Sequence, residues 1–233
     1  MEEERKLAQE LEQTLRQAGA ALVGFGDLSG ICPPPLTTGV SVAVPLPPDV
    51  LEGIAEGPTL AYLEAYHALN AQLNAIVTAG AAFLEARGWQ ARAQTTDAVT
   101  QDETWRTPLP HKTVATRAGL GWIGRNCLLV TPEYGGAMRL SSLVTDAPLP
   151  TAEPITTSRC GGCRRCVEAC PAGALTGALW QAGMDREELF CRETCWEKQR
   201  ELMRERTGID TDLCGQCFVV CPYTARYLQR TKE

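Results

Sequence analysis

One run of cysteines constrains this chain more than any other feature. The stretch RCGGCRRCVEACP begins at Arg159, and its four cysteines stand at gaps of two, two and three residues before Pro171. They are Cys160, Cys163, Cys166 and Cys170. This spacing is typical of the bacterial ferredoxin run, in which three thiolates hold one [4Fe-4S] cluster and the fourth ligates a neighbouring cluster. The run therefore predicts a second group of cysteines elsewhere in the chain.

A second, shorter run lies near the C-terminus and also ends in a Cys-Pro pair. It consists of Cys214, Cys217 and Cys221. One thiol is missing, because Thr211 occupies the position three residues before Cys214. Cys191 and Cys195 lie between the two runs, and either is able to supply the missing ligand. The spacing by itself leaves this choice open.

The eight thiols divide into two ligand sets. One set is Cys160, Cys163, Cys166 and Cys221, and the other is Cys170, Cys214, Cys217 and either Cys191 or Cys195. Zinc also binds paired Cys-x-x-Cys units, but one zinc site uses four ligands and leaves the two Cys-Pro endings unexplained. Disulfides suit small secreted domains, whereas this chain has 11 cysteines, an odd number, and opens without the pattern of a signal peptide. Two [4Fe-4S] clusters are therefore predicted.

The position of the cysteines predicts two domains. Nine of the 11 lie after residue 159, so a small two-cluster domain is predicted over residues 157–233 and a larger α/β domain over residues 1–156. With 44% hydrophobic residues, the larger domain is able to bury its own core. No apolar run approaches the length of a membrane span, and the thiol-rich chain is predicted to be cytoplasmic. A net charge of −6 gives no overall attraction to nucleic acid.

Helical and strand patterns alternate along the larger domain. A polar, proline-broken loop is expected over residues 97–110, and Gly80 is a candidate interruption of the longest helix. Helices are predicted over residues 3–17, 58–87, 112–118 and 185–206, and strands over segments that begin at Ala21, Gly39, Trp89, Leu128 and Met138.

Three glycines match the dinucleotide fingerprint G-x-G-x-x-G, but their context does not fit it. The fingerprint follows a strand and opens a helix, whereas here a helix precedes the glycines and a strand follows them. The glycines are instead predicted to let the backbone approach a ligand or another chain segment closely. The candidate cofactor-binding residues in and around them are Lys112, Gly119, Gly121, Trp122, Gly124, Arg125, Asn126 and Arg139.

Three titratable residues are candidates for proton transfer. His111 is the most attractive donor, because its unperturbed pKa lies near neutrality, and its alternative role is to cap the following helix. Asp102 and Glu103 lie in the polar loop, where a solvated carboxylate is the alternative.

Cys32 is expected to be a structural thiol, and His67 a packing residue. The arginines beside the first run, among them Arg159, either favour the reduced clusters or form a docking face for a redox partner of ferredoxin or flavodoxin type.

The motifs AGLGWIGRN, LLVTPEYG and TDAPL, followed by the split pattern of eight cysteines, resemble the epoxyqueuosine reductase family and its shorter relatives. The likeness runs from about residue 105 to about residue 225. It implies an N-terminal domain of modified nitroreductase-like fold, a sheet flanked by helices, that binds a cobalamin. It also implies a ferredoxin-like domain whose clusters pass electrons to the cobalt. In the shorter relatives an aspartate precedes the inter-run thiol. Cys191 stands at that aspartate's place and Cys195 at the thiol's, so the resemblance favours Cys195 as the remaining cluster ligand.

The chain departs from the family at two places. Counting back from Ala118, the position of the family's catalytic aspartate is occupied by Trp105. The chain also stops at Glu233, without the helical-repeat extension that helps the full-length enzyme grip transfer RNA. Both departures disfavour transfer RNA as the substrate.

Three functions are consistent with this sequence. The first is an iron-sulfur oxidoreductase that reduces a corrinoid or another small molecule held in the N-terminal domain. The second is an electron-transfer or corrinoid-activating protein without a small-molecule substrate of its own, which the missing aspartate favours. The third is a minimal epoxyqueuosine reductase that acts on transfer RNA.

Overall fold

The computed structural model describes residues 2–232 and divides the chain into two compact units that are interleaved in sequence. The first unit contains the segments up to Val44, Leu69–Leu120 and Arg139–Ile155. The second contains Pro45–Ala68, Gly121–Met138 and the chain from Thr156 onward. The glycine-rich segment after Leu120 therefore shares a unit with all nine C-terminal cysteines. The division into continuous domains at residue 156 stays a prediction.

The helices and strands follow the chain in this order: α1 (Glu2–Gln17), β1 (Leu22–Asp27), β2 (Thr38–Pro45), α2 (Pro48–Gly53), α3 (Leu60–Glu85), β3 (Ala91–Ala93), α4 (His111–Arg117), β4 (Trp122–Ile123), β5 (Leu129–Val130), β6 (Met138–Thr145), α5 (Arg165–Glu168), a 3-10 turn (Arg186–Glu188), α6 (Arg192–Thr207), α7 (Gln216–Val219) and α8 (Pro222–Arg230). No helix within residues 2–232 is long and apolar enough to cross a membrane.

The first unit is built on a four-stranded sheet with the order β1-β2-β6-β3. Strand β1 pairs antiparallel with β2, and β3 pairs antiparallel with β6. Residues 39–44 of β2 are all buried, a pattern typical of a strand that is covered on both faces. The predicted mixed α/β class, with a small sheet and flanking helices, is confirmed.

Helix α3 continues through Gly80, so the predicted interruption there is wrong. A Cβ atom at Gly80 would lie 2.7 Å from Leu15 Cδ2 and 2.8 Å from Leu143 Cδ2. The glycine therefore allows α1 and β6 to pack closely against α3, and this gain in packing offsets the weak helix propensity of glycine.

Apart from α6 and α8, the second unit contains only short elements and the first residues of α3, up to Ala68. Its strands β4 and β5 form a two-residue hairpin ladder, in which Trp122 pairs with Val130 and Ile123 with Leu129. The helix predicted over residues 185–206 is divided, because the 3-10 turn ends before Cys191 and α6 begins after it. Helix α6 ends at Gly208, whose φ of 76° provides the left-handed C-terminal cap.

Candidate functional site

The two cysteine runs adopt the same local structure. Helices α5 and α7 have four residues each, carry Cys166 and Cys217 as their second residue, and pack against each other. Each helix ends two residues before the final cysteine of its run, Cys170 or Cys221. The spacing of two and three residues therefore places one thiol before, one within and one after a single helical turn.

The first thiol group consists of the four cysteines expected from the sequence. Burial and, to a smaller extent, negative charge on the other three thiols together raise the pKa of Cys166 to about 11. These are Cys160, Cys221 and Cys163. Cys221 belongs to the same group, since its pKa is raised by burial and also by Cys160 and Cys163. The chain thus brings a thiol from the second run to three thiols of the first.

The second thiol group contains Cys195. Burial raises the pKa of Cys195 to about 11, with further contributions from Cys170 and Cys214. Desolvation also raises the pKa of Cys217 well above its ordinary value, and its neighbours Cys214, Cys195, Cys166 and Cys170 add to that shift. Cys195 therefore lies near Cys170 of the first run and near Cys214 and Cys217 of the second.

Cys191 is placed differently from Cys195. It lies at the N-cap of α6, is exposed, and its thiol is 3.1 Å from Thr194 Oγ1. This hydrogen bond lowers the pKa of Cys191, and the nearby charge that opposes the shift is that of Glu193. Of the two candidates for the missing ligand, only Cys195 is grouped with the run cysteines.

The chemistry of these donors fits an iron-sulfur cluster. Four close thiolates repel one another, which is one cause of the raised pKa values, and bound iron cations would relieve that repulsion. Within residues 2–232 no three His, Cys, Asp or Glu side chains are close enough to hold one metal ion. A [4Fe-4S] cluster has a different requirement, because its thiolates bind four separate irons.

The glycine-rich segment contacts the protein itself. A Cβ at Gly121 would lie 2.3 Å from the Val130 carbonyl oxygen, and one at Gly124 would lie 2.7 Å from Val130 Cγ2. At Gly119, where φ is 69°, a Cβ would lie 3.2 Å from that of Ala152. Of the two predicted reasons for these glycines, close approach to another chain segment is the one observed. Asn126 is also used locally, since its Oδ1 accepts from the Leu128 amide at 3.3 Å.

Arg125 is a buried arginine that binds the first cysteine run. Its side chain donates to the carbonyl oxygen of Gly161 at 2.7 Å and also to that of Gly177. Only 8% of the residue is exposed. Arg125 was predicted to bind a cofactor. In the structure it binds backbone carbonyl groups instead, one of which lies between Cys160 and Cys163.

His111 is the first residue of α4, and its Nδ1 lies 2.9 Å from Ser142 Oγ. The alternative role as a helix cap is wrong, because the N-cap is Pro110 and no side chain caps this helix. Burial lowers the pKa of His111 to about 4, and the positive charge of Arg139 contributes. At neutral pH the ring is therefore uncharged, which does not support its predicted role as a proton donor.

Asp102 forms a tight turn in the polar loop. Its Oδ1 accepts from the Thr104 amide, the Thr104 hydroxyl and the Arg106 amide at 2.7–2.9 Å. These bonds lower the pKa of Asp102, so the carboxylate is ionised and serves the turn rather than proton donation. Glu103 is exposed in the same loop. Trp105, at the place of the family aspartate, has a φ of 59° and is 37% exposed.

The remaining candidates lie in other surroundings. Arg139 donates through Nε and Nη2 to Asn70 Oδ1 at 3.1 and 3.0 Å, and Lys112 lies beside His111 in α4. Cys32 packs against a small apolar cluster that includes Leu28, as expected of a structural thiol. His67 is exposed in α3.

Three interactions were not predicted from the sequence. The indole Nε1 of Trp122 donates to Cys160 Sγ at 3.4 Å, and Gln199 Nε2 donates to Cys195 Sγ at 3.2 Å. The buried thiol of Cys127 is also close enough to Cys195 to raise its pKa. Spacing alone reveals none of these, although Gln199 lies one helical turn after Cys195 and so shares its face of α6.

Comparison with known proteins identifies the cysteine region first. Residues 159–224 match the 4Fe-4S double cluster binding domain. The chain is also 38% identical over 117 residues to an epoxyqueuosine reductase of Bacillus cereus and 40% identical over 116 residues to that of Listeria monocytogenes. These alignments cover 49% and 47% of this chain but only 29% and 28% of the relatives. The chain therefore matches less than a third of either relative's length.

The fold is shared with two groups of solved structures. The catabolic reductive dehalogenase NpRdhA superposes with a TM-score of 0.71 and 18% identity, over 95% of this chain and 32% of that protein. A crystal structure of epoxyqueuosine reductase gives a TM-score of 0.59 and 22% identity, over 94% of this chain and 66% of that protein. The chain is thus similar in sequence to epoxyqueuosine reductases over about half of its length, shares their fold, and contains a region that matches the 4Fe-4S double cluster binding domain.

Proposed function

We propose that this chain is an iron-sulfur oxidoreductase that transfers electrons through two [4Fe-4S] clusters. One observation carries the proposal: eight thiols from the two runs and α6 lie near one another in the second unit, and their neighbours fit a division into two groups of four. Cys160, Cys163, Cys166 and Cys221 would hold one cluster, and Cys170, Cys195, Cys214 and Cys217 the other. When bound, such clusters supply one-electron transfer at potentials that the surrounding protein adjusts.

The protein contributes ligands, charge and hydrogen bonds to this chemistry. The guanidinium of Arg125 holds the carbonyl groups of Gly161 and Gly177, so the backbone between Cys160 and Cys163 is fixed. The N–H groups of Trp122 and Gln199 point to one sulfur of each group. A ferredoxin- or flavodoxin-type donor and a reducing compartment such as the cytoplasm complete the proposal, because the thiols must stay reduced until iron binds.

The electron acceptor that we propose is a corrinoid. Support comes from the shared fold, since one superposed dehalogenase structure is described as suggesting a mechanism for B12-dependent dehalogenation. Lys112 and Arg139 provide cationic donors suited to amide and phosphate groups, and His111 provides a neutral imidazole. An anaerobic titration with hydroxocobalamin, followed by visible spectroscopy, tests this part. Stoichiometric retention supports it, and absence of retention leaves electron transfer to another acceptor.

Epoxyqueuosine reduction is the second candidate, favoured by the identity to reductases of that name. One solved epoxyqueuosine reductase is described with an epoxyqueuosine-modified transfer RNA stem loop. Two observations disfavour this candidate. Trp105 occupies the position of the family aspartate, and the Asp102 carboxylate is hydrogen-bonded within its own turn. The queuosine content of transfer RNA from a deletion strain distinguishes the two, because unchanged queuosine excludes this activity as the main role.

The iron content of anaerobically prepared protein tests the main proposal. We expect about eight irons and about eight sulfides per chain, since each cluster contains four of each. Electron paramagnetic resonance of the dithionite-reduced protein should show signals of reduced [4Fe-4S] clusters. A content of about one iron, or zinc in its place, would overturn the proposal.

A further inference from the structure

We propose that Trp122 is a positioning residue that raises the reduction potential of the cluster held by Cys160, Cys163, Cys166 and Cys221, and of that cluster alone. This inference rests on the proposed function, because it requires that the thiols bind iron. Its physical basis is the N–H···S hydrogen bond from the indole to Cys160 Sγ at 3.4 Å. Hydrogen bonds to cluster sulfurs stabilise the reduced form, which carries more negative charge, and so raise the potential.

The indole is fixed on several sides. Trp122 is 1% exposed and lies in the β4–β5 ladder, opposite Val130. Its ring makes an edge-to-face contact with Tyr223, with ring centroids 5.0 Å apart and an interplanar angle of 74°. A buried ring that cannot rotate keeps its N–H on the same sulfur in both oxidation states, so no reorganisation is required during electron transfer.

Trp122 also joins the two distant parts of the first thiol group. Its N–H contacts Cys160, while its ring contacts that of Tyr223, which follows the Cys221–Pro222 pair at the start of α8. Arg125, three residues after Trp122, donates to the Gly161 carbonyl beside Cys160. The segment that the sequence suggested for an organic cofactor is therefore arranged around a cysteine loop.

The second thiol group has its own side-chain donor. Gln199 Nε2 lies 3.2 Å from Cys195 Sγ, one turn along α6 from that cysteine. The two groups thus receive different N–H donors from different elements. Removal of each donor should lower the potential of one cluster and leave the other unchanged.

A redox titration of two variants tests this assignment. Trp122→Phe keeps the ring and removes the N–H, and Gln199→Leu is the matched control for the second group. We expect Trp122→Phe to lower one of the two midpoint potentials by about 59 mV. This corresponds to about a tenfold change in the equilibrium constant of a one-electron reduction. Gln199→Leu should lower the other midpoint. Iron and sulfide should stay at the wild-type content in both variants.

The outcomes separate this inference from the proposed function. If wild-type protein lacks two clusters, the proposed function fails. If both clusters are present and Trp122→Phe leaves both midpoints unchanged, or shifts the midpoint that Gln199→Leu shifts, the role of Trp122 is wrong. If Trp122→Phe loses iron, Tyr223→Leu provides the test, because it loosens the indole and keeps its N–H. That variant should lower the midpoint that Gln199→Leu leaves unchanged, by less than about 59 mV, and an unchanged midpoint would overturn the inference.

Discussion

The two compact units of this protein are stabilised in different ways. The first buries an apolar core in which β2 and β6 are covered and α1 and α3 meet at Gly80. The second depends on two four-residue helices, α5 and α7, that carry half-buried thiols. Helices this short are unstable by themselves in water. We therefore expect bound iron to contribute more to the order of the cysteine-bearing segments in the second unit than to any part of the first unit.

Iron removal should have the largest effect and separates the units most clearly. After anaerobic chelation, residues 159–224 are expected to lose amide protection and become sensitive to protease, because the short helices lose their cross-links. The sheet and α1 should stay protected. Hydrogen exchange measured by mass spectrometry before and after chelation checks this. Equal loss of protection in both units would contradict the comparison.

A substitution at Gly135 tests how tightly the second unit packs without reference to its thiols. A Cβ at this glycine, whose φ is 61°, would lie 2.3 Å from the Thr224 backbone nitrogen. Gly135→Ala should therefore lower the free energy of unfolding by about 3–4 kcal/mol, from overpacking and left-handed strain together. Gly53→Ala is the control, because it lies in the same unit away from the cysteines and a Cβ there would meet only Thr59 Cγ2 at an ordinary 3.9 Å. Denaturant unfolding of the iron-loaded protein measures both, and equal stabilities would refute the packing argument.

Acid should destabilise the first unit through His111. Its pKa is about 4 in the folded chain and 6.5 ordinarily, so the unfolded chain takes up the proton first as the pH falls. The stability present above pH 6.5 is then lost progressively toward pH 4, by about 2–3 kcal/mol. His111→Gln should remove this part of the pH dependence. Denaturant unfolding of both proteins across that interval checks it, and identical slopes would contradict it.

A smaller effect is expected from the loss of one buried hydrogen bond that α8 makes within the second unit. The Tyr227 hydroxyl donates to the Leu46 carbonyl oxygen at 3.0 Å. Tyr227→Phe should cost about 1 kcal/mol, because the carbonyl loses its partner while the ring packing remains. Iron content should not change. A loss of iron in this variant would show that α8 packing and cluster retention are coupled.

For the second unit, the sequence predicted the cysteine ligands better than the secondary structure around them. Cysteine spacing identified eight thiols, but the choice between Cys191 and Cys195 depended on how the 185–206 segment is divided. Only a tertiary arrangement shows that Cys191 is exposed at the N-cap position of α6 while Cys195 lies near other thiols. The hydrogen bond from Trp122 to Cys160 spans 38 residues, so no local pattern reveals it.

In the first unit, periodicity predicted the helices and strands well but said little about their polar groups. Gly80 was expected to interrupt a helix because propensity is local, whereas its reason is contact with Leu15 and Leu143. His111 was chosen as a proton donor from its ordinary pKa, and burial beside Arg139 changed that value. Burial and charge environment belong to the fold, so a single sequence does not provide them.

The most direct test of the central claim compares Cys195→Ser with Cys191→Ser. Both proteins are prepared anaerobically and their iron is counted per chain, together with Mössbauer spectra. Cys195→Ser is expected to retain about four irons in the first cluster and lose the second, while Cys191→Ser keeps about eight. If Cys191→Ser loses iron and Cys195→Ser does not, or if neither does, the assignment of two four-thiol groups is contradicted.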